Sequence, residues 1–136
     1  MRILVADDDP VFSHLLDERL TGLGFQVLVT RDTLQAWHIL RRDPPDLVLL
    51  DMQMPGGSGL AVLRRIKSNL QTRGVPVIVI TAAQDESTLQ QIHVARPEGL
   101  LRKPIVFEEL ALEINRLLAA RALSRPERRL AQKGPG

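Results

Sequence analysis

The stretch Leu47-Val48-Leu49-Leu50-Asp51-Met52-Gln53-Met54-Pro55 decides the fold of this chain. Four consecutive apolar residues run into a single carboxylate at Asp51, with Pro-Pro-Asp before the stretch and Gly-Gly after it. A continuous apolar run bounded by turn residues predicts a strand buried on both faces, as in a parallel sheet. Asp51 would then lie at the carboxyl end of this strand, the edge at which open α/β sheets bind ligands.

The composition restricts the class of protein. A chain of 136 residues is long enough for one domain with a hydrophobic core and too short for two. It contains no cysteine, which excludes disulfides and thiolate metal sites. We find no signal peptide and no apolar run near the roughly 20 residues that span a membrane. We therefore expect a soluble, cytoplasmic protein.

The charge is unevenly distributed. Residues 121–136 carry five basic residues and one acidic residue, whereas residues 1–120 carry 13 basic and 15 acidic residues. The folded part is thus mildly acidic, and the basic balance of the whole chain comes from its end. We expect neither direct nucleic-acid binding nor membrane binding from this distribution.

Strand-like and helical segments alternate along the chain. The predicted strands are 2–6, 25–30, 47–51, 75–81 and 99–101, and the predicted helices are 10–23, 33–42, 59–73, 85–95 and 105–123. This alternation predicts a parallel sheet covered by helices on both faces, with right-handed crossovers. Residues 123–136 lack apolar periodicity, and we interpret them as a flexible basic tail or linker.

Polar side chains follow four of the five predicted strands. The second strand ends in a Thr-Arg pair and adds nothing comparable. Because the carboxyl ends of parallel strands meet at one edge, the polar groups of the other strands should converge there. These groups are carboxylates, a hydroxyl and an ammonium group, namely Asp7, Asp8 and Asp9, Asp51, Thr81 and Lys103.

This set of groups suits phosphoryl transfer. Clustered carboxylates repel each other unless a cation lies between them, and hard oxygen ligands favour Mg²⁺. A bound cation admits an anion that the carboxylates alone would exclude, and one carboxylate can then attack phosphorus as a nucleophile. Lys103 would place a compact positive charge on the phosphoryl oxygens, and Thr81 would donate a hydrogen bond to them.

The chain resembles the receiver domain of two-component response regulators, the CheY-like superfamily. The resemblance is carried by residues 3–10, 47–55, 77–82 and 101–104, with Gly59 in addition, and covers residues 1–122. It implies a flavodoxin-like (βα)5 fold, a doubly wound parallel sheet of strand order 2-1-3-4-5. It also implies that residues 1–122 form one receiver domain.

The resemblance implies a role for each matching residue. Asp51 would be the phospho-acceptor. Asp8 would bind Mg²⁺ directly, Asp7 would bind it through water, and Gln53 would supply its backbone carbonyl. Asp9 falls outside the acidic pair and is interpreted as a helix cap.

The same resemblance implies partners and a switch. A sensor histidine kinase or phosphotransfer protein would donate the phosphoryl group, and the product would act on a downstream protein target. Thr81 would move toward the phosphoryl group, and Lys103 would contact its oxygens. A homodimer through helix 4, strand 5 and helix 5 is one expected output. One departure is Leu100, which stands where the family usually has Tyr or Phe, so the aromatic half of the usual switch is absent.

Two other functions stay open at this stage. A phosphorylation-silent binding scaffold on the receiver fold would leave the acidic cluster and Lys103 without a use. A phosphatase of the haloacid-dehalogenase type would use Asp7 as nucleophile and would leave Asp51 without a role. The three histidines fall at none of the strand ends, and we interpret His14, His38 and His93 as solvated helical residues.

Overall fold

The structure, a computed structural model, describes residues 1–124 and contains one five-stranded parallel sheet. Numbered within this sheet, the strands lie in the order β2-β1-β3-β4-β5. This order confirms the predicted flavodoxin-like arrangement. The strands are β1 (Arg2–Ala6), β2 (Gln26–Thr30), β3 (Leu47–Asp51), β4 (Val77–Thr81) and β5 (Gly99–Arg102).

Helices alternate with these strands. Each of the first four begins after a residue whose side chain accepts a hydrogen bond from a backbone N–H of the first turn, and these residues are Asp9, Asp32, Ser58 and Asp85. The predicted cap at Asp9 is therefore confirmed. The five helices are α1 (Pro10–Gly22), α2 (Thr33–Arg42), α3 (Gly59–Ser68), α4 (Glu86–Val94) and α5 (Phe107–Ser124).

The chain divides into two compact units, Met1–Pro104 and a second that begins at Ile105 and contains α5. Helix α5 extends to Ser124, two residues past the predicted boundary at residue 122. The rest of the predicted tail, residues 125–136, lies outside the described residues, so its flexibility stays a prediction. Among residues 1–124, no helix combines the length and the apolar character needed to cross a membrane.

The two central strands are buried along their whole length. Every residue of β3 and of β4 is buried, as expected for strands covered on both faces. Alternate residues of the sheet form one core cluster with the buried faces of α2 and α3, including Leu4, Leu50, Val79, Leu40 and Leu63. This packing fixes where the carboxyl ends of the strands lie relative to α2 and α3, and hence the position of the polar groups at those ends.

Helix α3 is shorter than the sequence predicts. It ends at Ser68 instead of continuing to Gly74, and Leu70, expected on its apolar side, is 78% exposed. The Thr72 hydroxyl donates to the Ile66 carbonyl at 2.9 Å, and the Asn69 carbonyl accepts the Arg73 N–H at 2.8 Å. A turn held by these hydrogen bonds thus replaces the last helical turn.

Candidate functional site

Three carboxylates meet at the carboxyl edge of the sheet. Asp7, Asp8 and Asp51 each offer an oxygen atom, and these atoms all lie within 4.8 Å of one another. Asp7 and Asp51 are buried, whereas Asp8 is exposed. The sequence placed all three at this edge, and the adjacency of β1 and β3 explains why they meet.

Backbone hydrogen bonds hold Asp7 in place. Its own N–H donates to the Thr30 carbonyl at 3.0 Å, and its Oδ1 accepts the Asp9 N–H at 2.9 Å. The end of β2, which was expected to add nothing, therefore supplies an acceptor that positions the first carboxylate. The Thr30 hydroxyl is buried and has no hydrogen-bond partner among residues 1–124.

Asp51 is the last residue of β3 and has an unusual electrostatic environment. Burial and, second, the negative charge of Asp7 together raise its pKa to about 6, against the opposing effect of Lys103. Its Oδ1 accepts the Gln53 N–H at 3.3 Å. A carboxyl group held in this way gains much from any cation that enters the cluster.

Lys103 is the positive group of the site. Its Nζ lies 3.4 Å from Asp7 Oδ2 and 3.9 Å from Asp51 Oδ2. Its backbone N–H donates to the Thr81 carbonyl at 2.9 Å, and the Lys103–Pro104 peptide bond is cis. The ammonium group is thus shared between two carboxylates and faces the place where an anion bound to either would lie.

Thr81 ends β4 and is 2% exposed. Its Oγ1 accepts the Ala83 N–H at 3.0 Å, and no hydrogen bond among the described residues joins it to the three carboxylates. Thr81 and Ala83 line a cavity of about 310 Å³ that also touches the first turn of α4 at Thr88. Space is therefore present beside the hydroxyl.

Gln53 lies next to the acidic cluster, with an exposed side chain. It pairs with Ser58 in a two-residue antiparallel ladder formed by Gln53–Met54 and Gly57–Ser58. Gln53 and Asp8 line one shallow pocket of about 460 Å³. The ladder holds the backbone of Gln53 beside the carboxylates.

Sequence reasoning assigned no role to two residues of the site, one of which, Gly59, it used only as part of the family resemblance. The Lys103 ammonium lies 4.9 Å from the centroid of the Phe12 ring, a cation–π contact that restrains the lysine. Phe12 was interpreted only as an apolar residue of the first helix. A Cβ atom at Gly59 would lie 2.3 Å from the Asp51 carbonyl oxygen, so only glycine fits there. The Phe12 contact leaves no local signal in the sequence, and the resemblance includes Gly59 without indicating which atoms it touches.

The remaining predictions concern residues outside the cluster. Leu100 lies in β5 beside Val79 of β4. It is half-buried and packs against the core cluster that the sheet forms with α2 and α3. The three histidines are exposed on helices, as predicted, and none lies in the acidic cluster: His14, His38 and His93.

Comparison with known proteins agrees with this geometry. The family model of the response regulator receiver domain matches residues 3–115. The chain is 38% identical over 104 residues to the response regulator PleD of Caulobacter vibrioides, covering 76% of this chain and 23% of PleD. It thus spans about a quarter of that relative. It is 32% identical over 118 residues to protein PilH of Pseudomonas aeruginosa, covering 87% of this chain and 98% of PilH.

A solved structure extends the likeness to the site. The receiver domain of the sensor histidine kinase PA1611 of Pseudomonas aeruginosa, determined with magnesium coordinated in its active-site cleft, is 28% identical. It superimposes with a TM-score of 0.80 over 87% of this chain and 97% of its own. The chain belongs to the response regulator receiver domain family, the phospho-accepting domains of two-component signalling.

Proposed function

We propose that Asp51 is the phospho-acceptor of this receiver and takes its phosphoryl group from a phosphorylated histidine. The donor would be a sensor histidine kinase or a phosphotransfer protein. The observation that carries the proposal is the position of Asp51 between Lys103, 3.9 Å away, and two further carboxylates at the sheet edge. Asp7 is a poorer nucleophile, because its oxygens are held more closely, at 2.9 Å by the Asp9 N–H and at 3.4 Å by Lys103. The corresponding contacts of Asp51 are longer, 3.3 Å to the Gln53 N–H and 3.9 Å to Lys103.

The acidic cluster fits a magnesium ion. Three carboxylates within 4.8 Å of one another form a hard oxygen donor set. Burial and, second, repulsion from Asp7 raise the pKa of Asp51, and a cation would relieve that repulsion. Asp8, Asp51 and the Gln53 backbone carbonyl would hold the ion, with Asp7 acting through water. When bound, the ion would polarise the phosphoryl oxygens and neutralise the carboxylates.

The chain's own groups then carry out the transfer. An Asp51 carboxylate oxygen forms a bond to phosphorus as the bond between phosphorus and the donor's imidazole nitrogen breaks. The electron pair leaves with that nitrogen. The donor departs as neutral imidazole if its other ring nitrogen already carries a proton, and otherwise takes up one proton from solvent to become neutral. Lys103 exchanges its contact with the Asp51 carboxylate for the phosphoryl oxygens and holds their charge.

The product would differ from the free protein mainly in charge. The phosphoryl group carries about −1.5 to −2 at neutral pH and replaces the single charge of the carboxylate, next to a hydroxyl that now accepts from the Ala83 N–H. We propose that Thr81 gives up this hydrogen bond and donates to the phosphoryl group, using the cavity beside it. The movement would displace the loop after β4 and the start of α4, without an aromatic residue at Leu100. A downstream protein target or a homodimer through α4, β5 and α5 would detect the change.

The test is phosphoryl labelling of the full chain with acetyl phosphate carrying ³²P and with a phosphorylated histidine kinase. We expect Mg²⁺-dependent, acid-stable and alkali-labile labelling of the wild type and of Asp9→Asn, and none of Asp51→Asn. Asp9→Asn is a matched control because asparagine also caps helices. Undiminished labelling of Asp51→Asn would exclude the proposal.

The same experiment separates the two other functions. A silent scaffold would remain unlabelled by every donor, and its affinity for a partner protein would be the same with and without phosphodonor. A phosphatase would hydrolyse phosphate esters over many turnovers and would lose this activity in Asp7→Asn. Neither outcome is expected, because the cluster brings Asp51 and Lys103 together and both alternatives leave Asp51 unused.

A further inference from the structure

A basic groove lies at the opposite edge of the sheet from Asp51. It has a volume of about 680 Å³ and is formed by the end of α3, the loop before β4 and the end of α4. Its lining has four basic side chains and no acidic one. The lining residues are Arg64, Lys67, Ser68, Arg73, Gly74, Val94, Ala95 and Arg96.

The positive charge of this groove is largely uncompensated. Arg64, Arg73 and Arg96 are exposed, and within residues 1–124 none of them makes an ion pair. Lys67 pairs with Glu98, whose other oxygen accepts the Val77 N–H at 2.8 Å. This glutamate is therefore committed to the start of β4 and leaves the three arginines without a counter-charge. The interval 52–84 contains no Asp or Glu at all.

Arg96 occupies a backbone position that favours glycine. Its φ angle is 59°, in the left-handed region, and it is the only non-glycine residue with positive φ in the described part of the chain. It directly follows Ala95, the C-cap of α4, where helices usually place Gly because a side chain strains this conformation. An arginine is therefore present at the rim of the groove despite a cost in stability.

We propose that the basic groove binds an acidic peptide segment of a partner protein, with glutamate or aspartate side chains on the arginines. Val94, which is 67% exposed, and Ala95 would contact apolar side chains of the same segment. Complementary charge of this kind guides association and fixes the orientation of the partner. The inference does not rest on the chemistry of Asp51.

The observations favour an acidic peptide over nucleic acid. Residues 1–120 carry a net negative charge, 13 basic against 15 acidic residues, which repels a long polyanion. The groove is short, and none of its lining residues is aromatic, so bases would have no surface on which to stack. A short segment with a few carboxylates and apolar side chains matches both its charge and its size.

The test measures binding of a fluorescein-labelled, glutamate-rich peptide with leucine at every third position, by fluorescence anisotropy on the full chain. We expect binding that weakens at least about tenfold in Arg64→Glu, Arg73→Glu and Arg96→Glu, and that weakens as salt is raised. Arg41→Glu, an exposed arginine of α2 outside the groove, should bind like the wild type.

Arg96→Gly distinguishes the loss of a contact with the peptide from a loss of folding stability. It should weaken peptide binding while raising the midpoint of thermal unfolding, because glycine relieves the left-handed strain. The proposal is overturned if the glutamate peptide does not bind, if a glutamine version binds equally, or if Arg41→Glu loses as much affinity. Unchanged peptide affinity in Arg96→Gly would also overturn it. So would a single-stranded oligonucleotide that binds as tightly as the peptide and loses affinity in the same arginine variants.

Discussion

Gly59 touches the backbone of Asp51 so closely that no side chain fits between them. A Cβ atom at Gly59 would lie 2.3 Å from the Asp51 carbonyl oxygen and 2.8 Å from the Met52 Cα. Both neighbours are backbone atoms and cannot turn away. The first residue of α3 therefore sets how far the end of β3, with its carboxylate, stands from the helix.

Gly59→Ala is expected to destabilise the chain and to distort the acidic cluster. The clash can be relieved only by moving α3 or the end of β3, which we expect to cost about 2–3 kcal/mol of the free energy of unfolding. Urea denaturation would measure it. Gly22→Ala is the matched control, since a Cβ there has no atom within 4 Å and the residue ends α1, and this variant should be neutral or more stable. Equal effects of the two substitutions would contradict the close contact.

Asp51→Asn should stabilise the metal-free protein near neutral pH. Burial and the charge of Asp7 raise the pKa of Asp51 to about 6 from 3.8, so the ionised form is disfavoured in the folded state. The amide removes that charge without changing the shape of the side chain. After allowance for solvent screening, we expect the free energy of unfolding to rise by roughly 1–2 kcal/mol at pH 7. Urea denaturation in the presence of EDTA would measure this increase.

The pH dependence of this gain has a definite sign. Between about pH 4 and 6 the folded chain holds the Asp51 proton that the unfolded chain has already released, so this group's contribution to stability falls as the pH rises. The advantage of Asp51→Asn should therefore grow across this window and level off above it. Asp85 offers the opposite case, because the Thr88 hydroxyl lowers its pKa and its contribution is lost as the pH falls. A gain that shrinks with rising pH would contradict the assignment.

Magnesium should stabilise the folded chain through Asp8. At a concentration tenfold above its Kd, an ion that binds only the folded state adds about 1.4 kcal/mol. We expect thermal unfolding to shift upward with MgCl₂ in the wild type and in Asp9→Asn, and to shift little in Asp8→Asn. Both variants remove one negative charge, so equal shifts in the two would show that the effect is only general screening.

Lys103→Gln should retain the fold and slow the labelling of Asp51. Loss of one positive group aimed at developing charge lowers rates by about 100-fold in comparable sites. The initial rate with acetyl phosphate at saturating Mg²⁺ measures the effect. Arg102→Gln, which removes a neighbouring exposed cation, is the control and should label at the rate of the wild type. A similar loss in both variants would point to bulk charge instead of the contact with Asp51.

The positions of Asp7, Asp51 and Lys103 could be predicted from the sequence because each follows an apolar strand, and parallel strands end at one edge. The contacts that refine the site could not. Phe12 beneath Lys103 and Gly59 against Asp51 depend on where a helix lies across the sheet, which no local pattern encodes.

Helix α3 shows a second limit of sequence reasoning. Leu70 fits the helical repeat, yet the chain turns before it, because hydrogen bonds of Asn69 and Thr72 replace those of a further turn. Arg96 is a similar case. Its backbone is left-handed, and arginine rarely adopts this conformation, so nothing in the sequence predicts it. Local hydrogen bonds decide the end of α3, and apolar periodicity reports neither feature.

The contact between Lys103 and Asp7 joins residues 96 positions apart in the chain. On the ribosome, Asp7 and Asp51 emerge long before their cationic partner has been made. A nascent chain therefore cannot assemble the site until its fifth strand has left the exit tunnel. A chain cut off before Lys103 lacks the cation that faces both carboxylates, so its labelling should be at least as slow as that of Lys103→Gln.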